Sequence, residues 1–206
     1  MILYRIVGSG LTLSAFEASD MLFLLAGIML FFGVHLVSAC TRCRENLVGR
    51  LGENRYRGVF VAGSVAGFLL ITTGAAYVEF VPLYDPPGWG RQAAAVFMPV
   101  AFIMLATLLL PTNIKRFTRH PMLWSFTIWS AVHLLTNGDL GSVLLFGSFG
   151  LYSLFSMWSL NRRGTVKPPT VHSLSRDALV VVVGVVVYGA VVYLHPYLFG
   201  VSAIYK

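Results

Sequence analysis

The sequence predicts an all-α integral membrane bundle of about six transmembrane helices. Three observations support this fold class: a scarcity of charge, six apolar runs of about bilayer length, and basic residues confined to alternate loops. Of the 206 residues, 57% are hydrophobic and 11% are charged, whereas soluble domains contain roughly 25% charged residues. A soluble fold of this size lacks the charge to cover its surface, so we expect the lipid bilayer to be its main partner.

Six apolar runs follow one another along the chain. A membrane-spanning helix requires about 20 predominantly apolar residues. The runs cover residues 21–39, 58–80, 93–110, 121–137, 140–160 and 178–199. Valines at 180–187 favour a strand by composition, but they lie inside a run of bilayer length, and open sheet edges are not tolerated in lipid. We therefore predict a helix for every run.

The charge of the loops predicts the orientation. Twelve of the 15 basic residues fall in the loops after the first, third and fifth runs. Such residues stay in the cytoplasm, so these loops are predicted to be cytoplasmic. An even number of spans then places both termini outside. The net charge of +7 lies in these loops rather than along one amphipathic face, so we expect no nucleic-acid partner.

The first 20 residues precede the first strong apolar run. They contain no long apolar segment followed by a small-residue cleavage site, so a cleavable signal peptide is not predicted. We interpret residues 1–20 as an N-terminal extension, either a gene-calling artefact before a true start at Met21 or a short interfacial segment. Residues 21–206 are interpreted as one membrane domain.

Histidines are the candidate functional residues of the apolar runs. His35, His133 and His195 lie within runs, and His120 lies at the start of the fourth run. Polar side chains inside a bilayer are energetically expensive and mark functional sites. A single buried histidine is often only a packed, hydrogen-bonded residue. Several in one small bundle favour a metal centre, because imidazoles from facing helices hold haem iron.

Depth along the helices restricts the pairing of these histidines without deciding it. At 1.5 Å per residue, His35 lies about 6 Å from the cytoplasmic end of its helix, and His133 about 18 Å from the cytoplasmic start of its own. This offset of about 12 Å is near the largest that two axial ligands can bridge. Pairing His35 with His120 is no worse, so spacing allows a haem and leaves its ligands open.

Cys40 and Cys43 form a C-x-x-C motif at the cytoplasmic end of the first run. A zinc site of this kind normally needs a second pair. A redox pair needs stabilised thiolates, for which Arg42 and Arg44 supply positive charge. The simpler interpretation is a pair of interfacial thiols.

Asn137 and Gly138 predict a tight turn between the fourth and fifth runs, because both residues tolerate positive φ. Asp139 follows them at the start of the fifth run, where a carboxylate can cap a helix. The structural role of these three residues is sufficient to explain their presence.

Four segments together resemble the NnrU family of bacterial membrane proteins. The longest is RHPMLWSFTIWSAVHLLTNGDLGSVLLFGSFG at residues 119–150. The others are FFGVH at 31–35, RLGENRYRG at 50–58 and PLYDPPGWGR at 82–91. Their order and spacing extend the similarity over about residues 21–163, and the last helix matches only loosely.

The resemblance implies a location, a cofactor and a set of functions. The family is named for a gene linked to nitrite and nitric oxide reductase expression, so we expect a bacterial inner (cytoplasmic) membrane protein of denitrification. A plant and cyanobacterial relative, 15-cis-ζ-carotene isomerase, carries haem b on two histidines. By position, the iron ligands are then His35 and His133, and His120 is a further functional histidine.

Two alternative functions stand beside this one, and the first comes from the same resemblance. One is a haem-dependent cis–trans isomerase, whose substrate is a hydrophobic polyene such as ζ-carotene. The other is a non-catalytic membrane assembly or sensor factor that supports the maturation of reductases. A small transporter ranks below both, because the apolar runs contain no paired carboxylates.

Overall fold

The computed structural model describes residues 10–164, 170–201 and 203. Within them it contains eight helices and no β-strand, apart from one isolated bridge between Pro82 and Asp139. The helices are α1 (Gly10–Ala39), α2 (Thr41–Leu51), α3 (Glu53–Tyr77), α4 (Gly90–Ala106), α5 (Ile114–Phe117), α6 (Pro121–Leu134), α7 (Leu140–Arg163) and α8 (Leu174–Phe199). They form two compact units, Met1–Val81 with α1 to α3 and Pro82–Lys206 with α4 to α8.

Four helical segments are long and apolar enough to cross a membrane. They are Ser19–Ala39, Glu53–Tyr77, Leu140–Arg163 and Leu174–Phe199. The helices α4 and α6 have 17 and 14 residues, which correspond to about 26 and 21 Å against a hydrocarbon core of about 30 Å. The all-helical class is therefore confirmed and a multi-pass membrane protein is indicated. The count of about six spans stays a prediction for α4 and α6.

The ends of several helices differ from those predicted by hydropathy. The helix α1 begins at Gly10 rather than 21, α3 begins at Glu53 rather than 58, and α4 ends at Ala106 rather than 110. The helices α1 and α3 begin early because apolar windows detect only the lipid-facing part of a helix, whereas backbone hydrogen bonds continue into polar residues. The helix α4 ends early because the backbone N–H groups of residues 107–109 donate to carbonyls three residues earlier, which is a tighter turn than that of an α-helix. Glu53 also suits the first turn of α3, where negative charge stabilises the helix dipole. The short helix α2 was not predicted.

Small residues bring α1 and α3 into close contact in the first unit. A Cβ atom added at Gly27 would lie 2.5 Å from the backbone N of Ile71, and one at Gly67 would lie 2.7 Å from the backbone N of Phe31. A Cβ at Gly74 would likewise meet the backbone of α1. Membrane helices use such small residues to pack backbone against backbone, so this pair forms a tight core for the unit.

In the second unit, α6 packs between α4 and α7, and α4 also packs against α8. A polar clip joins the segment after α4 to the start of α8. The carboxylate of Asp177 accepts hydrogen bonds from Thr112 Oγ1 at 2.6 Å and from the backbone N of Asn113 at 2.8 Å. Asn113 Nδ2 donates to the carbonyl of His172 at 2.7 Å. These bonds satisfy the polar groups of the buried Thr112 and Asn113. Because the carbonyl of His172 accepts one of them, His172 has a structural role here.

Candidate functional site

His35 lies near the C-terminal end of α1 in the first unit. Its Nδ1 is 2.6 Å from the carbonyl oxygen of Phe31, one turn earlier. The ring of Phe31 stacks on the imidazole with centroids 4.3 Å apart, and the ring of Phe60 on α3 lies 5.1 Å away. The imidazole is therefore held by its own helix and by α3.

His133 lies in the last turn of α6 in the second unit. Its Nδ1 is 2.8 Å from the carbonyl oxygen of Trp129, again one turn earlier. The ring of Phe146 on α7 stacks on the imidazole with centroids 4.3 Å apart and an interplanar angle of 22°. The indole of Trp129 lies 4.9 Å away. Two helices thus fix the orientation of this side chain.

The two histidines share one local arrangement, and it determines their tautomer. A carbonyl oxygen can only accept, so Nδ1 must donate in both rings. The neutral imidazole of this tautomer carries its lone pair on Nε2, the nitrogen that would bind a metal. Metal-ligating histidines almost always donate their other N–H to a carbonyl or carboxylate in this way. Each imidazole, considered within its own unit, therefore has the hydrogen-bonding arrangement that a metal-ligating histidine uses.

The remaining histidines are held differently. His120 precedes α6, and its Nε2 is 3.0 Å from Oδ1 of Asn161 on α7. It lies at the opposite end of α6 from His133, so the second unit does not bring these two together. The Nδ1 of His195 near the end of α8 is 2.7 Å from the carbonyl of Val201. Among residues 10–164, 170–201 and 203, no group of three or more metal-ligating side chains is assembled.

The loop before α4 supports the turn of α6 that carries His133, a contribution that the sequence did not reveal. The hydroxyl of Tyr84 donates to the carbonyls of Leu134 and, at 2.9 Å, Asn137. Asn137 Nδ2 in turn donates to the carbonyl of His133 at 2.9 Å. Burial and the nearby Asp139 carboxylate raise the pKa of Tyr84, which extends to higher pH the range over which its hydroxyl donates. Tyr84 and Asn137 thus hold the backbone at the end of α6, next to His133.

The chain turns between α6 and α7 as expected, but the turn residues are Leu135 and Thr136 rather than the predicted Asn137 and Gly138. Gly138 is not among the glycines with positive φ. A Cβ atom at this position would collide with the carbonyl oxygen of Tyr84, and the Gly138 carbonyl accepts from the backbone N of Leu83 at 2.8 Å. Close backbone approach therefore requires this glycine. The capping role of Asp139 is confirmed, because its Oδ1 accepts from the backbone N of Ser142 at 2.9 Å.

The interpretation of Cys40 and Cys43 as interfacial thiols was wrong for this structure. Their Cα atoms are 5.2 Å apart and the two sulfurs form a disulfide at the junction of α1 and α2. The residue between these helices is Cys40, which has extended backbone geometry and caps α2. The break between the helices brings the two side chains together, and the sequence motif alone does not reveal that break.

A model of one protein family, described as NnrU protein, matches residues 23–203. The match includes His35, His120 and His133, and it extends through α8, beyond residues 21–163 on which the resemblance rested. It confirms that resemblance. No curated protein and no solved structure matches the sequence.

Proposed function

This chain belongs to the NnrU family, and we propose from that premise that it is an integral membrane protein that binds haem b and acts in nitrite and nitric oxide metabolism. The observation that supports the cofactor most directly is the shared geometry of His35 and His133. Each imidazole donates from Nδ1 to a carbonyl one turn earlier and has an aromatic ring against its face. In both rings Nε2 is therefore the nitrogen that would bind the iron.

His35 and His133 would hold the iron, and the side chains around them would keep the imidazoles in place. The carbonyls of Phe31 and Trp129 increase the electron density at Nε2 by accepting the opposite proton. The rings of Phe31 and Phe146 restrict rotation of the two imidazoles. Bound haem b supplies a one-electron redox centre whose ferrous iron is a Lewis acid. The isomerase alternative would use that property on a conjugated polyene.

We place the chain in the bacterial inner membrane with both termini outside, on the basis of the basic loops. One structural feature favours an assembly or sensor factor as the second candidate. The helix α2 has no buried residue, and its Arg42, Arg44 and Arg50 are exposed. On the predicted cytoplasmic side this helix offers a basic surface to a partner protein.

The decisive experiment is an absorption spectrum of the protein purified in detergent after expression with ample haem, both oxidised and reduced. We expect a Soret band and the bands of a six-coordinate ferrous haem b in the wild type. His35→Ala and His133→Ala should each weaken haem retention or shift the reduced spectrum, because the iron loses a strong-field ligand. His172→Ala is the control, since that residue belongs to the clip between α8 and the segment after α4.

The other histidine variants separate the possible ligand sets. His195→Ala should leave the spectrum unchanged. A lost spectrum in His120→Ala together with a normal one in His133→Ala would show that His120 is the ligand. Wild-type protein without a Soret band would refute haem binding and would favour a function as an assembly or sensor factor. The link to nitrogen-oxide metabolism is tested separately, by measuring nitrite and nitric oxide reductase activity in a strain that lacks this gene.

A further inference from the structure

The disulfide between Cys40 and Cys43 joins the end of α1 to the start of α2 and involves both cysteines of the chain. We propose that this pair is a thiol–disulfide exchange site whose substrate is a cellular thiol. The proposal is independent of haem binding, and it rests on the cap of α2, the exposure of the two residues and the side chains that surround the junction.

The first argument is the environment of the Cys40 sulfur. Cys40 is the N-cap of α2, and its Sγ accepts a hydrogen bond from the backbone N of Cys43 at 3.3 Å. Free N–H groups and the positive end of the helix dipole stabilise a thiolate at this position. Cys40 is therefore suited to leave as a thiolate when the disulfide opens, and a stabilised leaving thiolate accelerates exchange.

The second argument is access. Cys43 is exposed, as are its neighbours Arg42 and Arg44, whereas Cys40 is partly buried. An incoming thiolate therefore reaches the Cys43 sulfur, and the adjacent Arg42 guanidinium attracts it. Exposure and the helix cap thus assign different roles to the two sulfurs. Cys43 is attacked, and Cys40 leaves.

The third argument is that the junction is held by contacts other than the disulfide. Tyr56 on α3 is buried, and its hydroxyl is 2.7 Å from Ser38 Oγ, two residues before Cys40. The guanidinium of Arg44, one residue after Cys43, lies 5.6 Å from the centroid of the Tyr56 ring. Arg44 also pairs with Glu53 at 2.9 Å. These contacts keep the two cysteines close after reduction, so the pair can close again.

The position in the chain fits a redox role better than a structural one. The disulfide closes a very short loop, and a short loop contributes the least entropic stabilisation. The basic loops predict that this junction faces the cytoplasm, where disulfides are usually transient and catalytic or redox-sensing. Both considerations favour a bond that opens and closes during function.

The exchange consumes two thiols per disulfide. The thiolate of the first attacks Cys43 Sγ, forms a mixed disulfide with it and breaks the bond to Cys40, which departs as a thiolate. A second thiolate then attacks the sulfur of the first thiol in the mixed disulfide and releases Cys43. Two electrons pass from the thiols to the cysteine pair, which takes up two protons, and the thiols are oxidised to their own disulfide.

The test uses the full chain in isolated membranes. Samples are incubated with reduced glutathione, or with a small dithiol protein, thioredoxin, and its reductase. They are then quenched in acid, and free cysteines are counted with a maleimide mass tag. We expect no tag before reduction, two tags after it, and none again after oxidised glutathione is added. The Cys40→Ser/Cys43→Ser double variant is the blank, because it removes every cysteine.

The two reductants distinguish the source of the thiol. If glutathione by itself reduces the disulfide, the substrate is a low-molecular-weight thiol. If only the thioredoxin system reduces it, the substrate is a protein dithiol. A pair that neither system reduces in the folded protein, or that stays reduced in oxidised glutathione, overturns the proposal.

A trapped intermediate tests the separate roles of the two sulfurs. When the wild-type disulfide is exposed briefly to reduced glutathione and quenched in acid, peptide mass spectrometry should find glutathione several-fold more often on Cys43 than on Cys40, because Cys43 is the more exposed residue. Glutathione found equally on both cysteines, or mainly on Cys40, would refute the assignment of Cys43 as the attacked sulfur. The haem spectrum is not a readout here, so this test can fail or succeed independently of the proposed function.

Discussion

Replacing Gly67 by alanine tests whether the packing of α1 on α3 supports the candidate ligand His35. A Cβ atom at Gly67 would lie 2.7 Å from the backbone N of Phe31 and 2.9 Å from its Cα. Ordinary contact begins at 3.4 Å, so Phe31 must retreat by the difference between 3.4 and 2.7 Å, about 0.7 Å. The obstructing atoms belong to the backbone, so a change of rotamer cannot relieve the collision.

The expected cost follows from two opposing effects. Overpacking a tight core typically costs about 1–3 kcal/mol, whereas replacing glycine by alanine inside a helix contributes about 1 kcal/mol of stability through helix propensity. Gly58→Ala is the matched control in the same helix, because a Cβ atom there has no heavy atom within 4 Å. Gly58→Ala therefore gains the stability that comes from helix propensity and has no collision to offset it. Gly67→Ala should therefore be less stable than Gly58→Ala by about 1–3 kcal/mol.

Stability is measured by denaturant unfolding in mixed micelles, followed by circular dichroism at the helix band. Tryptophan fluorescence is unsuitable, because all four tryptophans lie after Val81, outside the first unit. If haem is bound, Gly67→Ala should also disturb its spectrum, since Phe31 supplies the carbonyl that accepts from His35. Equal stability of the two variants would refute the close approach of α1 and α3.

Three further predictions concern the second unit and the orientation. Tyr84→Phe should lower stability at neutral pH, because two hydrogen bonds to the end of α6 are lost. Since the pKa of Tyr84 is raised, this difference should persist up to about pH 10 and disappear as the phenol ionises above it, which thermal unfolding at several pH values would detect. Asp139→Ala should cost about 1 kcal/mol by denaturant unfolding through loss of the α7 cap, and unchanged stability would refute the cap. In a cysteine-free background, an impermeant maleimide applied to intact cells should label Asp85→Cys and not Arg162→Cys, and the reverse pattern would invert the topology.

The sequence by itself determined the helical class, the approximate place of each long helix and the family. The helical class and the places of the helices depend on local composition, since an apolar run of bilayer length must satisfy its backbone hydrogen bonds within itself. The family depends on the order and spacing of four short segments. His35 and His133 were also identifiable, because an ionisable residue inside an apolar run is visible in the sequence alone. The cap at Asp139 was predicted for a similar reason, since it depends on residues three positions apart.

Only the tertiary structure decided how these residues are held. The aromatic ring that stacks on His133 belongs to Phe146, which lies on a different helix. The hydroxyl that donates to the carbonyl of Leu134 at the end of α6 belongs to Tyr84, 50 residues earlier in the chain. The break between α1 and α2 at Cys40 is equally invisible in a hydropathy profile, because α2 lies outside the apolar runs. Such contacts join residues that are distant along the chain, and their formation depends on how closely the helices pack. Composition and spacing report one helix at a time and therefore cannot specify them.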